Sequence, residues 1–249
     1  MRAASSSVHT WRVYRTFITA EWRWLILRNY RVDPDALAAY VPRGTELDLW
    51  QGETYVSLVG FMFLNTRVLG VPIPFHRNFE EINLRFYVKR VVDGETRRGV
   101  VFIKELVPKH VIAWVARRLY NENYSAAPMS HRIDNASGEF AYAWQSDGER
   151  FELSASTRGG PQSLSPGSHE EFIAEHFWGY VRQRDGGTVE YHVEHPSWRV
   201  WSAERHLFSG NTAALYGERF ANVLSAKPDS VFVADGSEVS VSHGVRLRL

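Results

Sequence analysis

The chain has 249 residues, 44% hydrophobic and 23% charged, with a formal net charge of +1. That near-neutral balance argues against a general nucleic-acid binder, and the absence of cysteine excludes disulfides, thiolate nucleophiles and zinc–thiolate sites. No apolar run reaches the roughly 18 residues of a membrane span, and the Ser- and Ala-rich start lacks the apolar segment of a secretory signal.

Trp11, Trp22 and Trp24 lie among the early arginines, which favours the start of a folded domain over a transit peptide. A cytoplasmic protein is expected, with one domain over residues 1–249 and residues 1–12 as an unordered lead-in. Residues 21–31 read as a strand, with Trp22, Trp24 and Ile26 on one face and Arg23, Leu25 and Leu27 on the other. Asp33-Pro34 is an N-cap followed by proline at the first helical position. The short helix it starts turns Leu37 and Tyr40 inward and ends before Val41-Pro42-Arg43-Gly44. Residues 54–68 have strand composition, and 70–74 form a loop. Residues 81–91 pair with 98–106 through the hairpin turn Asp93-Gly94.

The segment Glu81-Ile82-Asn83-Leu84-Arg85-Phe86-Tyr87-Val88 alternates without exception. Ile82, Leu84, Phe86 and Val88 share an apolar face, while Glu81, Asn83, Arg85 and Tyr87 share a polar one. Such a strand faces either bulk water or a wet interior cavity. Beyond it, Val111, Ile112, Val115 and Leu119 predict a helix over 109–120. Residues 131–158 form short alternating segments broken by Asn135-Ala136-Ser137-Gly138 and Asp147-Gly148, and 159–167 is a Gly/Pro/Ser loop. Ser168 and Glu171 make a capping box, and the helix it opens places Phe172, Ile173, His176, Phe177 and Tyr180 inward. Strands follow at 188–195, 199–206 and 230–242. The sum is an α+β fold, mostly antiparallel β, with a few short helices.

Common catalytic devices are missing: there is no G-x-S-x-G, no phosphate loop and no G-x-G-x-x-G. His192-Val193-Glu194-His195 puts its last histidine on the opposite strand face from the first, which fits no strong zinc pattern. No metal or cofactor is demanded.

Several stretches resemble the acetoacetate decarboxylase superfamily. Tyr30 to Leu37, Val41-Pro42 and Glu46-Leu47 are similar to the early decarboxylase segment, and that register puts Arg23 on the active-site arginine. Phe79-Glu80-Glu81-Ile82-Asn83-Leu84 resembles the segment whose glutamate lines the cavity, with Glu81 in that place. Asn83-x-Arg85-x-Tyr87-Val88, Asn123-Tyr124-x-x-Ala127, the Phe172 helix and His195-Pro196-x-Trp198 resemble a sister group, the YqjF-like family. The resemblance spans roughly residues 20–245. It implies an acetoacetate decarboxylase-like barrel with an inner cavity, a buried Glu81–Arg23 pair and self-association into homo-oligomers.

The resemblance also has a gap. Decarboxylases of this kind use a Schiff-base lysine, whose place here holds Tyr124, with Ser125 as its neighbour; shifting the register to Pro128 gives Met129 and Ser130. Lys104 and Lys109 lie outside the motif, so imine chemistry is not expected. What the resemblance implies is a pocket for a small-molecule ligand, anionic or carbonyl-containing. Glu81, Tyr124 and Arg23 are its candidate catalytic groups, and Asn83, Arg85, Tyr87, His195 and Trp198 its candidate binding groups. Such a set supports acid/base chemistry, non-catalytic binding, or only the packing of a filled interior.

Overall fold

A computed structural model describes residues 14–72, 74–108 and 123–248. The helix expected over 109–120 and the lead-in at 1–12 lie outside the described residues.

The chain runs through β1 (Thr16–Val32), α1 (Pro34–Leu37), β2 (Glu46–Leu47), β3 (Thr54–Val68), β4 (Val71–Pro72), β5 (Phe79–Val92) and β6 (Glu95–Val107). It continues with β7 (Tyr124–Ala126), β8 (Met129–Asp134), β9 (Glu139–Ser146), β10 (Glu149–Thr157), β11 (Gln162–Ser163) and α2 (His169–Ala174). It ends with β12 (Trp178–Arg182), β13 (Thr188–Glu194), β14 (Arg199–Ser209), α3 (Thr212–Ser225), β15 (Ser230–Ser242) and β16 (Val245–Arg246). Almost all strand pairs are antiparallel; β6 runs parallel to both β7 and β12.

The central path is β12-β6-β5-β3-β1-β15, and β13 pairs with both β12 and β15. The sheet therefore curls back on itself, while β14, β10, β9 and β8 extend from it. This is a curled, mostly antiparallel sheet with an attached layer, and not a simple barrel.

The central strands are buried on both faces. Ile82, Leu84 and Phe86 of β5 pack outward with Leu58 and Met62 of β3 against Tyr142, Trp144, Phe151 and Leu153 of the β9–β10 layer. Tyr55, Val59, Phe61 and Phe63 of β3 point inward with Leu25, Leu27, Phe79 and Trp198. The expected hairpin joins β5 to β6 across Asp93-Gly94, both at positive φ as a tight two-residue turn requires. The side chain of Asp33 caps α1 by accepting from the Asp35 N–H at 2.9 Å.

Two expectations are corrected and one unassigned element is added. The helix begun by Ser168 stops at Ala174, where Glu175 leaves helical geometry (φ −92°, ψ 67°), and Tyr180 belongs to a strand. The spacing of Phe177 and Tyr180 looked helical, but Trp178 to Val181 is rich in strand formers and completes the curl. Residues 212–225 form a helix, kinked at Gly217, where no element was expected. The strict alternation expected of 21–31 fails at Trp24, which takes φ 56° at a register shift between Arg23 and Ile26. One extra residue sends everything before it to the opposite face. Trp22 thereby joins Leu25 and Leu27 on the inner side, and Arg23 is turned away from it.

Candidate active site

The inner face of the curl lines a cavity of about 170 Å³. Most of its wall is aromatic or aliphatic, including Trp22, Phe61, Phe63, Phe79 and Trp198. One region is polar: Glu81, Asn83 and Arg85 from β5, Glu105 from β6, Tyr124 from β7, and His176 just past α2. The polar face of the β5 strand thus lines an interior, and its period-two spacing delivers three polar groups in a row.

Glu81 is 3% exposed. Its Oε1 accepts from Asn83 Nδ2 at 3.0 Å and its Oε2 from the Tyr124 hydroxyl at 3.0 Å. Burial pushes its pKa up to about 7, against the pull of those two hydrogen bonds and of the Arg85 charge. A carboxyl with that balance exchanges protons near neutral pH. Tyr124→Phe removes a donor that favours the ionised form, so the Glu81 midpoint should rise. Infrared titration of the carboxyl C=O stretch reads that midpoint, and an unchanged or lower value would contradict the geometry.

Arg85 is also buried, at 8% exposure. Its Nη2 donates to the Ile173 carbonyl at 3.3 Å, its guanidinium lies 5.7 Å from the centre of the Tyr87 ring, and its Nε has no hydrogen-bond partner among the described residues. No carboxylate of the described residues lies within 4.0 Å of it.

Tyr87 does not line the cavity. Its hydroxyl bonds Ser57 Oγ at 2.5 Å, and Ser57 donates onward to Asn29 at 2.6 Å. Its ring packs 4.6 Å from His176, so Tyr87 supports the site from behind. Trp198 is fixed by its indole N–H donating to Ser237 Oγ at 2.9 Å, and His195 stacks on it at 4.3 Å. Burial holds the His195 pKa below its ordinary value. Both residues line the cavity.

Arg23 does not meet Glu81. Turned outward by the Trp24 bulge, it pairs with Glu21 at 2.8 Å and donates to the Gly236 carbonyl at 3.1 Å. Its partner Glu21 faces an open recess on the far side of His195.

Two site residues escaped the sequence reading. Glu105 enters because β5 and β6 shift register between Leu84 and Arg85, so that strict alternation no longer holds. Lys104 is sent to the other side, where its ammonium donates to the Leu215 carbonyl at 3.2 Å. His176 is 6% exposed, with Nε2 3.5 Å from Asp48, which in turn accepts from Arg98 Nε at 2.6 Å. Burial is the main cause that lowers the His176 pKa to about 4, so its imidazole is neutral at pH 7. His176 had been placed inward on its helix, but nothing in the sequence joined it to Asp48. No lysine of the described residues lines the cavity, and Lys109 lies outside them.

With this geometry in place, the likenesses to solved structures are informative. The fold matches acetoacetate decarboxylase from Legionella pneumophila with a TM-score of 0.69 over 100% of this chain and 98% of that one, at 13% identity. It matches the enduracididine biosynthesis enzyme MppR complexed with pyruvate with a TM-score of 0.64 over 100% and 99%, at 15% identity. The architecture is therefore acetoacetate decarboxylase-like. Residues 19–238 match the family DUF2071, described as an uncharacterized conserved protein, and the chain belongs to that family. It is also 24% identical over 198 residues to the uncharacterized protein YqjF of Bacillus subtilis, covering 79% of this chain and 80% of that protein. Among the described residues no helix is long and apolar enough to cross a membrane.

Proposed function

We propose that the cavity binds a small anionic or carbonyl-containing metabolite and that Glu81 moves a proton on it without an imine-forming lysine. The observation that carries this reading is the buried row Glu81–Asn83–Arg85, joined by Tyr124, on one wall of an otherwise apolar cavity. Buried polar groups are costly unless satisfied, and a polar row of this kind is what orients a ligand in an apolar pocket. Asn83 and Tyr124 fix both carboxyl oxygens of Glu81, and Arg85 supplies a permanent positive charge for a carboxylate or an enolate oxygen. Proton abstraction next to a carbonyl is the simplest chemistry that uses all of them. That MppR, a protein of similar fold, was solved with pyruvate supports a carbonyl-bearing ligand.

Native mass spectrometry with a thermal-shift screen of keto acids, hydroxy acids and lactones tests the reading. A ligand at 100-fold excess over its Kd adds about 2.7 kcal/mol, a Tm rise of roughly 5–10 °C for a chain of this size. Proton transfer is then read as solvent deuterium exchange beside the carbonyl, which Glu81→Gln should abolish. Saturable binding without exchange would retain the pocket and remove the acid/base role, leaving a non-catalytic binding protein. No shift across the screen and no exchange would overturn both.

A further inference from the structure

We infer that the ligand carries a hydroxyl group beside its anionic or carbonyl function, and that Asn83 and His176 are the acceptors that recognise it. This deepens the proposal above and rests on its reading of the cavity as a ligand site.

Two unpartnered acceptors carry the inference. The first is on Asn83, a buried residue that lines the cavity. Its amide nitrogen is committed to Glu81 Oε1 at 3.0 Å, and its amide oxygen has no hydrogen-bond partner among the described residues. The second is on His176, which is buried and lines the same cavity. Its Nε2 lies 3.5 Å from Asp48 Oδ2. An ionised carboxylate accepts and cannot donate, so this neighbour places the imidazole hydrogen on Nε2. The ring is neutral at pH 7. Nδ1 is therefore a bare acceptor, and it too has no partner among the described residues. Asp48 is held in turn by Arg98 Nε at 2.6 Å, and the ring rests against Tyr87 at 4.6 Å and Phe172 at 5.5 Å. Asp48 is thus a positioning residue, which sets the tautomer without facing the ligand.

These two atoms discriminate among small ligands. The oxygens of a carboxylate or a ketone only accept. They can serve Arg85 Nε and Trp22 Nε1, donors of the same cavity that have no partner among the described residues. They cannot serve Asn83 Oδ1 or His176 Nδ1. A ligand that displaces water from those acceptors without replacing its hydrogen bonds loses affinity. A hydroxyl supplies the missing hydrogen and still offers lone pairs to the arginine. The class is therefore a hydroxy acid or a hydroxylated carbonyl compound, in preference to a plain keto acid or fatty acid.

Calorimetric titration of the full chain with small matched acids tests this: propionate, lactate, 3-hydroxypropionate, pyruvate, hydroxypyruvate and alanine. Lactate and 3-hydroxypropionate each add one hydroxyl to propionate, and hydroxypyruvate adds one to pyruvate. At least one hydroxylated acid should bind about tenfold or more tighter than its parent, because a site built to bond a hydroxyl rejects the analogue that lacks it. His176→Phe keeps an aromatic ring beside Tyr87 and Phe172 and removes both nitrogens, so it should erase most of that preference. In the unaltered chain, nitrogen-15 NMR of the His176 ring should show hydrogen on Nε2 and none on Nδ1, with the Nδ1 signal moving when the preferred hydroxy acid is added. Hydrogen on Nδ1, or a preference undiminished in His176→Phe, would overturn the assignment of His176. If the parent acids bind as well as their hydroxylated forms, water serves the acceptors; the hydroxyl is then overturned and the ligand site stands. If alanine binds more tightly than lactate, the donor is an ammonium and the hydroxyl is again overturned. If none of these acids binds, the inference fails, and if the wider screen is silent too, so does the ligand site.

Discussion

Glu81→Gln should stabilise the protein by about 3 kcal/mol near pH 8 and change little near pH 4. The Glu81 pKa rises from 4.5 to about 7 on burial, and each unit is worth about 1.4 kcal/mol. Because the folded state holds this proton more tightly than the unfolded chain, folding takes up a proton between those two values. The contribution of Glu81 is thus fully present below about pH 4.5 and is lost as pH rises to about 7. An amide in its place carries no charge to desolvate, still accepts from Asn83 and can donate to the Tyr124 oxygen. The measurement is Tm against pH for both proteins, with a gap opening between roughly pH 5 and 8. A constant gap would mean that Glu81 does not titrate in this window. Anion binding should show the same linkage, because a second negative charge next to Glu81 favours its protonated form. Wild-type affinity should fall as pH passes about 7 and that of Glu81→Gln should not.

Gly236→Ala should cost about 3 kcal/mol or more and loosen the cavity. Gly236 sits on β15 opposite Arg23, beside the Trp24 bulge, with φ 76°. A side chain there would suffer the strain of left-handed backbone, on the order of 1–3 kcal/mol. It would also place a carbon 1.9 Å from the Trp22 carbonyl oxygen, a backbone atom that cannot swing aside. Gly148→Ala is the matched control: its φ is 80°, but nothing lies within 4 Å of the added carbon, so it reports the backbone strain alone. Chemical denaturation of the two variants compares them directly. Equal losses would show that the close approach of β1 and β15 is not what Gly236 provides.

The pattern of the β5 segment was readable from residue types, because one unbroken alternation separated Ile82, Leu84 and Phe86 from Glu81, Asn83 and Arg85. Local turn and cap chemistry was equally direct at Asp33-Pro34, Asp93-Gly94 and Ser168. What alternation could not foresee was where it would be interrupted. Trp24 and the Leu84/Arg85 shift each insert one residue into a ladder, and neither inserted residue is itself a glycine that would announce it. Those two irregularities explain why Arg23 faces away from the cavity and why Glu105 faces into it. The pairing of His176 with Asp48 joins residues far apart in sequence, which only the tertiary fold can bring within reach. The helix over 212–225 was legible in principle, because its buried residues Thr212, Tyr216, Phe220 and Leu224 recur every four residues across the kink at Gly217.

The pairing of β1 with β15 has a consequence for how this molecule comes into being. Thr16 lies opposite Ser242 and Leu25 opposite Ala234, so the middle of the sheet joins the two ends of the described chain. During synthesis β1 emerges early, and one of its edges has no partner until the ribosome has passed Ser230. Closing so large a loop is slow, and a waiting apolar strand is open to misassociation. The cavity is therefore a late product of folding, and a nascent chain halted before β15 would carry most of its lining residues without ever closing around them.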